Sequence, residues 1–154
     1  MLKKLPLPVT GVALGAAALG NLLESYSAGV RLFCGGVSLL LMVLVILKIV
    51  TDPAQFRQDM QSPIIASVFC TFSMAIMLLA GYAKPFIGPS AAAIWYIGVT
   101  LHIVLIIYFT IRFIRKLVLA QVFASYYIVY VGIVVASVTA PAFNALAVGQ
   151  GAFW

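Results

Sequence analysis

The sequence predicts an all-α integral membrane protein with five transmembrane helices. Composition is the first observation behind this prediction, because 65% of the 154 residues are hydrophobic and only 8% are charged. A soluble domain has about a quarter of its residues charged and about half apolar. A chain of this size buries only about two-thirds of its surface in a core of its own, so lipid must cover much of the remaining apolar surface.

The lengths of the apolar runs are the second observation. A helix needs about 20 apolar residues to cross the ~30 Å hydrocarbon core of a bilayer. The spans are predicted at residues 6–24, 30–50, 63–83, 91–113 and 122–143. The connections are short, and Pro53 and Pro63 stand where a helix can begin. Residues 1–154 are therefore expected to form a single membrane domain.

The distribution of Lys and Arg is the third observation. If the spans alternate, one side carries Lys3, Lys4, Lys48, Arg57, Arg112, Arg115 and Lys116, and the other carries Arg31 and Lys84. Short loops rich in Lys and Arg stay in the cytoplasm. The N-terminus is thus predicted to be cytoplasmic and the C-terminus extracellular, in a multi-pass protein of the cell membrane. Orientation in the membrane explains the net charge of +6, because the basic residues lie between apolar runs and form no single patch. We therefore expect no nucleic-acid partner.

The first apolar run could also be a cleaved signal peptide. Lys3 and Lys4 precede the small-residue stretch "VTGVALGAAALGNLL", as the basic end of a signal peptide would. However, Pro6 and Pro8 interrupt the beginning of the apolar run, and a short loop follows it. These features favour a helix that is retained in the mature protein.

Small residues share one face in the first and fifth spans. The first has Gly11, Gly15 and Ala18, and the fifth has Gly132, Ala136 and Thr139. Such faces allow helices to pack closely in lipid, and they also leave room for a conduit. Pro8 and Pro141 are predicted to kink their helices, which is tolerated where the backbone lines a cavity or is buried.

Polar residues in the third and fourth spans are the other candidates. Ser67, Thr71 and Met74 share a face of the third span and could line a mildly polar path, or their hydroxyls could bond only to their own helix. His102 is the only ionisable residue deep in a span. An intramembrane imidazole is either a functional group, such as a proton relay, or a core residue whose hydrogen bonds a neighbour satisfies.

Signs of catalysis, cofactors or metals are absent from the sequence. It has no Ser/His/Asp set, no HExxH, no CxxC and no phosphate-binding glycine loop. Its three carboxylates lie in or beside loops, and Cys34 and Cys70 lie inside apolar runs as expected of small packing residues. We therefore expect neither an enzyme nor a cofactor or metal site.

Three segments resemble a known family of membrane proteins. They are "LPLPVTGVALGAAALGNL", "QSPIIASVFCTFSMAIMLLAGY" and "FASYYIVYVGIVVASVTAPAF". Together they are similar to the tellurite-resistance/dicarboxylate transporter family, which is also called the voltage-dependent anion channel family and includes plant slow anion channels. The resemblance is to the bacterial, Gram-positive branch and runs over nearly the whole chain.

The resemblance implies a bundle of ten helices in a pseudo-fivefold arrangement, in which odd-numbered helices line a pore and even-numbered helices form an outer ring. Family members can assemble as trimers. The candidates on spans one, three and five would then line the pore, and His102 on span four would lie in the outer ring. The resemblance implies that the chain corresponds to the N-terminal half of such a bundle. The ninth helix, whose aromatic ring closes the pore in relatives, is then expected to lie outside it.

The function expected from the resemblance is transport of small anions, either C4-dicarboxylates such as malate or inorganic anions. A pore without buried Lys or Arg would depend on backbone N–H groups at helix ends. The chain is expected to act with a complementary C-terminal half or as a homo-oligomer in the bilayer. The alternative is a truncated remnant that does not transport, or an assembly partner of a full-length relative.

Overall fold

The computed structural model describes residues 5–115 and 122–153, and this part of the chain is helical with no β-strand. The α-helices are α1 (Val9–Leu22), α2 (Ala28–Thr51), α3 (Pro53–Asp59), α4 (Pro63–Ile87), α5 (Ala91–Phe109), α6 (Tyr126–Val131), α7 (Val134–Thr139) and α8 (Leu146–Phe153). Lys3, Lys4 and Lys116, which entered the charge count, lie outside the described residues.

Local sequence explains where the first helices begin. The hydroxyl of Ser27 accepts a hydrogen bond from the N–H of Val30 at the start of α2. The carboxylate of Asp52 caps α3, and Pro53 and Pro63 are the first residues of α3 and α4. These positions suit serine, aspartate and proline because the first N–H groups of a helix have no partner inside it. The helix starts predicted at the two prolines are confirmed.

Helix α4 is the centre of the fold. It packs against α1, α2, α5, α6 and α7. Near its C-terminal end, the ring of Tyr82 lies against Gly35 of α2, where a methyl group would come within 2.5 Å of the ring. The Tyr82 hydroxyl donates a hydrogen bond of 2.6 Å to the carbonyl of Ala17 in α1. One tyrosine therefore joins α1, α2 and α4.

The connection predicted between the third and fourth spans is mostly helical. Helix α4 continues to Ile87 and includes Pro85, whereas the sequence predicted a loop from residue 83. Pro85 has no N–H to donate to the carbonyl four residues earlier, and it lies in the last turn of α4, which ends two residues later. Gly88 then adopts a φ of 61°, which reverses the chain so that α5 packs along α4.

Within the described residues, three helical stretches are long and apolar enough to cross a membrane by length and composition: Ala28–Thr51, Pro63–Ile114 and Tyr126–Phe143. The second contains the reversal at Gly88 and a π-helical turn at Thr110–Ile114. Helix α1 has 14 residues, about 21 Å at ~1.5 Å per residue. The five-span count therefore stays a prediction.

Exposed apolar side chains cover the outer face of α2. They include Val37, Leu39, Leu40, Val43, Ile46, Leu47 and Val50. A continuous apolar surface of this kind is costly in water and suits a hydrocarbon environment. The surface therefore agrees with a membrane protein.

The predicted fifth span is not one continuous α-helix. Its described part consists of α6, a turn at Gly132 and Ile133, α7, and a 3₁₀ turn at Ala140–Phe143. Pro141 lies in that 3₁₀ turn, after α7 has ended, and Pro8 precedes α1. Neither proline bends the interior of its helix, because each occupies a helix end, where the missing N–H is not required. The interruption within the span is at Gly132.

Candidate functional site

A groove of about 650 Å³ runs between α1, α4 and the α6–α7 segment. It opens to the outside of the chain and its surface is almost wholly apolar. The lining residues are Leu14, Ala18, Thr71, Met74, Leu78, Tyr127, Ile128, Val131, Gly132, Val134, Val135, Val138 and Thr139. The groove is therefore built from the first, third and fifth predicted spans.

The groove collects five of the nine residues that the sequence singled out as pore-lining candidates. These are Ala18, Thr71, Met74, Gly132 and Thr139. They come from three helices that are distant in sequence. Their meeting depends on the packing of α1 and α6 on α4.

The other four candidates do not line the groove. A methyl group added to Gly11 or Gly15 would meet no atom within 4 Å, so these glycines face open space. Ser67 is fully buried and its hydroxyl lies 2.8 Å from the Ser125 hydroxyl. Ala136 is fully buried on the opposite side of α7, in an apolar cluster with Met77 and Trp95. A pore-lining role for these four residues stays a prediction.

The hydroxyl groups of the two threonines that line the groove, Thr71 and Thr139, form hydrogen bonds within the protein. The Thr71 hydroxyl lies 2.8 Å from the Thr10 hydroxyl and 2.7 Å from the carbonyl of Val68. Thr139 accepts a hydrogen bond of 2.7 Å from the indole N–H of Trp95. Because these groups are already paired, the groove wall offers little polarity to an anion.

His102 lies directly behind the groove wall. Its side chain is fully buried, and its Nδ1 is 2.7 Å from the hydroxyl of Ser73 on α4. A methyl group added to Gly132 would come within 2.7 Å of Cε1 of His102 and 2.8 Å of the Met74 sulfur. The turn in the fifth span thus permits a ring from α5 to approach the groove, although the resemblance places its helix in an outer ring.

The protonation of His102 is constrained by Ser73. The Ser73 hydroxyl also lies 2.8 Å from the carbonyl of Cys70, and it has one hydrogen to donate. If that hydrogen goes to Cys70, the proton of the neutral imidazole is on Nδ1 and points at Ser73. Nε2 is buried and makes no hydrogen bond of good geometry in the described part of the chain.

An ion pair at the end of α2 was not anticipated from the sequence. Nζ of Lys48 lies 3.1 Å from Oδ2 of Asp59 and 2.7 Å from the carbonyl of Leu5. Lys48 was counted only as a charge that orients the protein, although its position at the end of an apolar run, 11 residues before an aspartate, was a usable signal. The pair joins the N-terminal segment, α2 and α3.

The described basic residues group at two places. Arg57 and Arg112 line one cleft, beside α3 and the π-helical turn. Arg31 pairs with Glu24 and lies over the ring of Tyr82. Lys84 follows Tyr82 by two residues in α4. The two sides assigned by the charge count stay a prediction. Among the described residues, no cluster of three or more His, Cys, Asp or Glu side chains could hold a metal ion.

The comparisons with known proteins match the chain to one family. No curated protein matches it. The family model described as "Voltage-dependent anion channel" matches residues 4–154, which is nearly the whole sequence. This family consists of channels and transporters and is not an enzyme family. The match agrees with the resemblance carried by the three sequence segments, and the chain therefore belongs to the voltage-dependent anion channel family.

Proposed function

We propose that this chain forms part of a conduit for small anions in the cell membrane, with five membrane-spanning segments and a cytoplasmic N-terminus. The observation that carries the proposal is the groove, because it brings residues of three predicted spans to one surface. The family match over residues 4–154 supports anion transport as the activity. The substrate is a small inorganic anion or a C4-dicarboxylate such as malate.

In this proposal, the described residues form only part of the wall of the conduit. The groove is open on one side, and Gly11 and Gly15 next to it contact nothing within the described residues. An open groove cannot enclose an ion and separate it from lipid. A second copy, or a complementary C-terminal half, closes the conduit in this proposal.

Flux in proteoliposomes tests this function. The purified chain is reconstituted at increasing protein-to-lipid ratios, and nitrate, chloride, malate and gluconate gradients are applied in turn. If the chain assembles with itself, flux of the small anions rises more steeply than in proportion to the protein. If the chain inserts and nitrate crosses at no ratio, self-assembly is refuted. Insertion without flux, with co-purification of a longer relative, favours the alternative of an assembly partner.

A plugging variant tests whether the groove is the path. Ala18 is exposed in the groove, so Ala18→Phe places a large ring there without displacing core atoms. We expect nitrate flux to fall at least about tenfold, because a ring removes much of the space an ion would occupy. Leu40→Phe is the matched control, since Leu40 is 60% exposed on the outer face of α2. Equal flux in the two variants would place the path elsewhere.

A further inference from the structure

A second cleft, of about 450 Å³, lies between α3 and the C-terminal end of α5. Its floor is apolar and includes Met60 and Leu105, which are 7% and 8% exposed. Arg57 and Arg112 also line the cleft, and both are exposed. The cleft therefore combines a buried apolar floor with two guanidinium groups that are accessible from outside.

No carboxylate is left to neutralise these two arginines. The sequence has three acidic residues. Glu24 pairs with Arg31, Asp52 caps α3, and Asp59 accepts hydrogen bonds from Lys48 and Gln55. Arg57 and Arg112 have no carboxylate partner among the described residues. Two unpaired guanidinium groups beside one cleft are suited to an external anion, since each can bind phosphate oxygens with two parallel N–H groups.

We propose that this cleft binds an anionic phospholipid, with the phosphate on Arg57 and Arg112 and the upper acyl chain over Met60 and Leu105. Charge complementarity and the apolar floor carry the proposal together. Free phosphate would use the two charges but leave the apolar floor uncovered, whereas a phospholipid covers both. The charge count predicts that Arg57 and Arg112 lie on the cytoplasmic side of the membrane, where the bilayer presents anionic lipids. The lipid site does not depend on the anion conduit.

Retention of lipid by the purified chain tests this site. The full chain is delipidated in detergent and mixed with dioleoylphosphatidylglycerol or dioleoylphosphatidylcholine, and bound lipid is counted by native mass spectrometry. Each basic residue near a membrane surface contributes about a fivefold preference for anionic lipid, so the two arginines together give roughly 30-fold. We expect Arg57→Gln/Arg112→Gln to lose that preference and each single variant to lose about fivefold.

Arg115→Gln is the matched control, because Arg115 is exposed near the same end but does not line the cleft. It should retain phosphatidylglycerol within about twofold of the unmodified chain. The single variants, at exposed positions, provide the measurement if the double variant does not fold. Equal retention of phosphatidylglycerol by folded arginine variants would overturn the proposal. Equal retention of phosphatidylcholine by the unmodified chain, or displacement of the lipid by millimolar inorganic phosphate, would also overturn it.

Discussion

Replacing Asp59 by Asn tests how much the ion pair at the end of α2 contributes to folding. The side chains of Lys48 and Asp59 are 4% and 18% exposed, and Nζ and Oδ2 are 3.1 Å apart. The substitution leaves the Lys48 charge buried with the Leu5 carbonyl and a neutral amide. Removing one partner of a buried pair costs about 3–5 kcal/mol. Because Asp59 retains some contact with solvent, we expect the unfolding free energy to fall by about 3 kcal/mol, the lower limit of that range.

The contribution of Asp59 to the unfolding free energy should also depend on pH. Burial raises the pKa of Asp59, but hydrogen bonds from Gln55 and Lys48 and the charge of Lys48 together lower it below its ordinary value of 3.8. A carboxyl group whose pKa is lowered in the folded state stabilises that state, and the full contribution is present at pH values above its ordinary pKa. That stabilisation disappears as the pH falls through the folded-state pKa. The unmodified chain should therefore lose stability below about pH 4, and Asp59→Asn should lack this component.

The assay is reversible unfolding in mixed detergent micelles, followed by tryptophan fluorescence at several pH values. Glu24→Gln is the control, because it breaks an ion pair of the same kind at a site where the Glu24 side chain is 53% exposed. Exposed pairs contribute about 0–1 kcal/mol, so this variant should stay close to the unmodified chain. Equal losses for the two variants at neutral pH, or the same acid dependence with and without the Asp59 carboxylate, would refute the reasoning.

Three further substitutions test contacts of α4. Gly35→Ala places a methyl group 2.5 Å from the Tyr82 ring and should reduce the unfolding free energy by about 1–3 kcal/mol, whereas Gly36→Ala meets nothing within 4 Å and should not. Tyr82→Phe removes one buried hydrogen bond and should cost about 1 kcal/mol in the same assay; no change would mean that the bond is replaced by another. Ser73→Ala leaves Nδ1 of His102 without its partner and should cost about 1–3 kcal/mol, with a shifted resonance of this single histidine in NMR spectra as the independent check.

The limits of two predicted spans lie close to helix limits in the structure, whereas α4 extends past residue 83 and the fifth predicted span is interrupted at Gly132. The second span was predicted at residues 30–50 and α2 runs from Ala28 to Thr51. The fourth was predicted at 91–113, and α5 with its π-helical turn covers 91–114. Apolar runs bounded by proline, glycine and polar residues contain this information, because a helix start depends on residues next to it in the chain.

The sequence did not predict which side of each helix is buried or which helices pack against each other. In α1 nearly every residue is small, so the sequence does not distinguish Gly11 and Gly15, which face open space, from Ala13 and Ala17, which are fully buried. A bulky residue on one side would have marked the core face, as it does in an amphipathic helix. The uniform composition of α1 removes that signal.

Composition, run length and motif are properties of neighbouring residues, and they were enough to indicate the class of the protein, its family and the extent of several helices. Three contacts became visible only in the folded chain: His102 lies behind Gly132, Tyr82 joins three helices, and Lys48 pairs with Asp59. Each of these contacts joins residues from different helices. Their distances depend on how the helices pack around α4, and many packings are compatible with the same apolar runs.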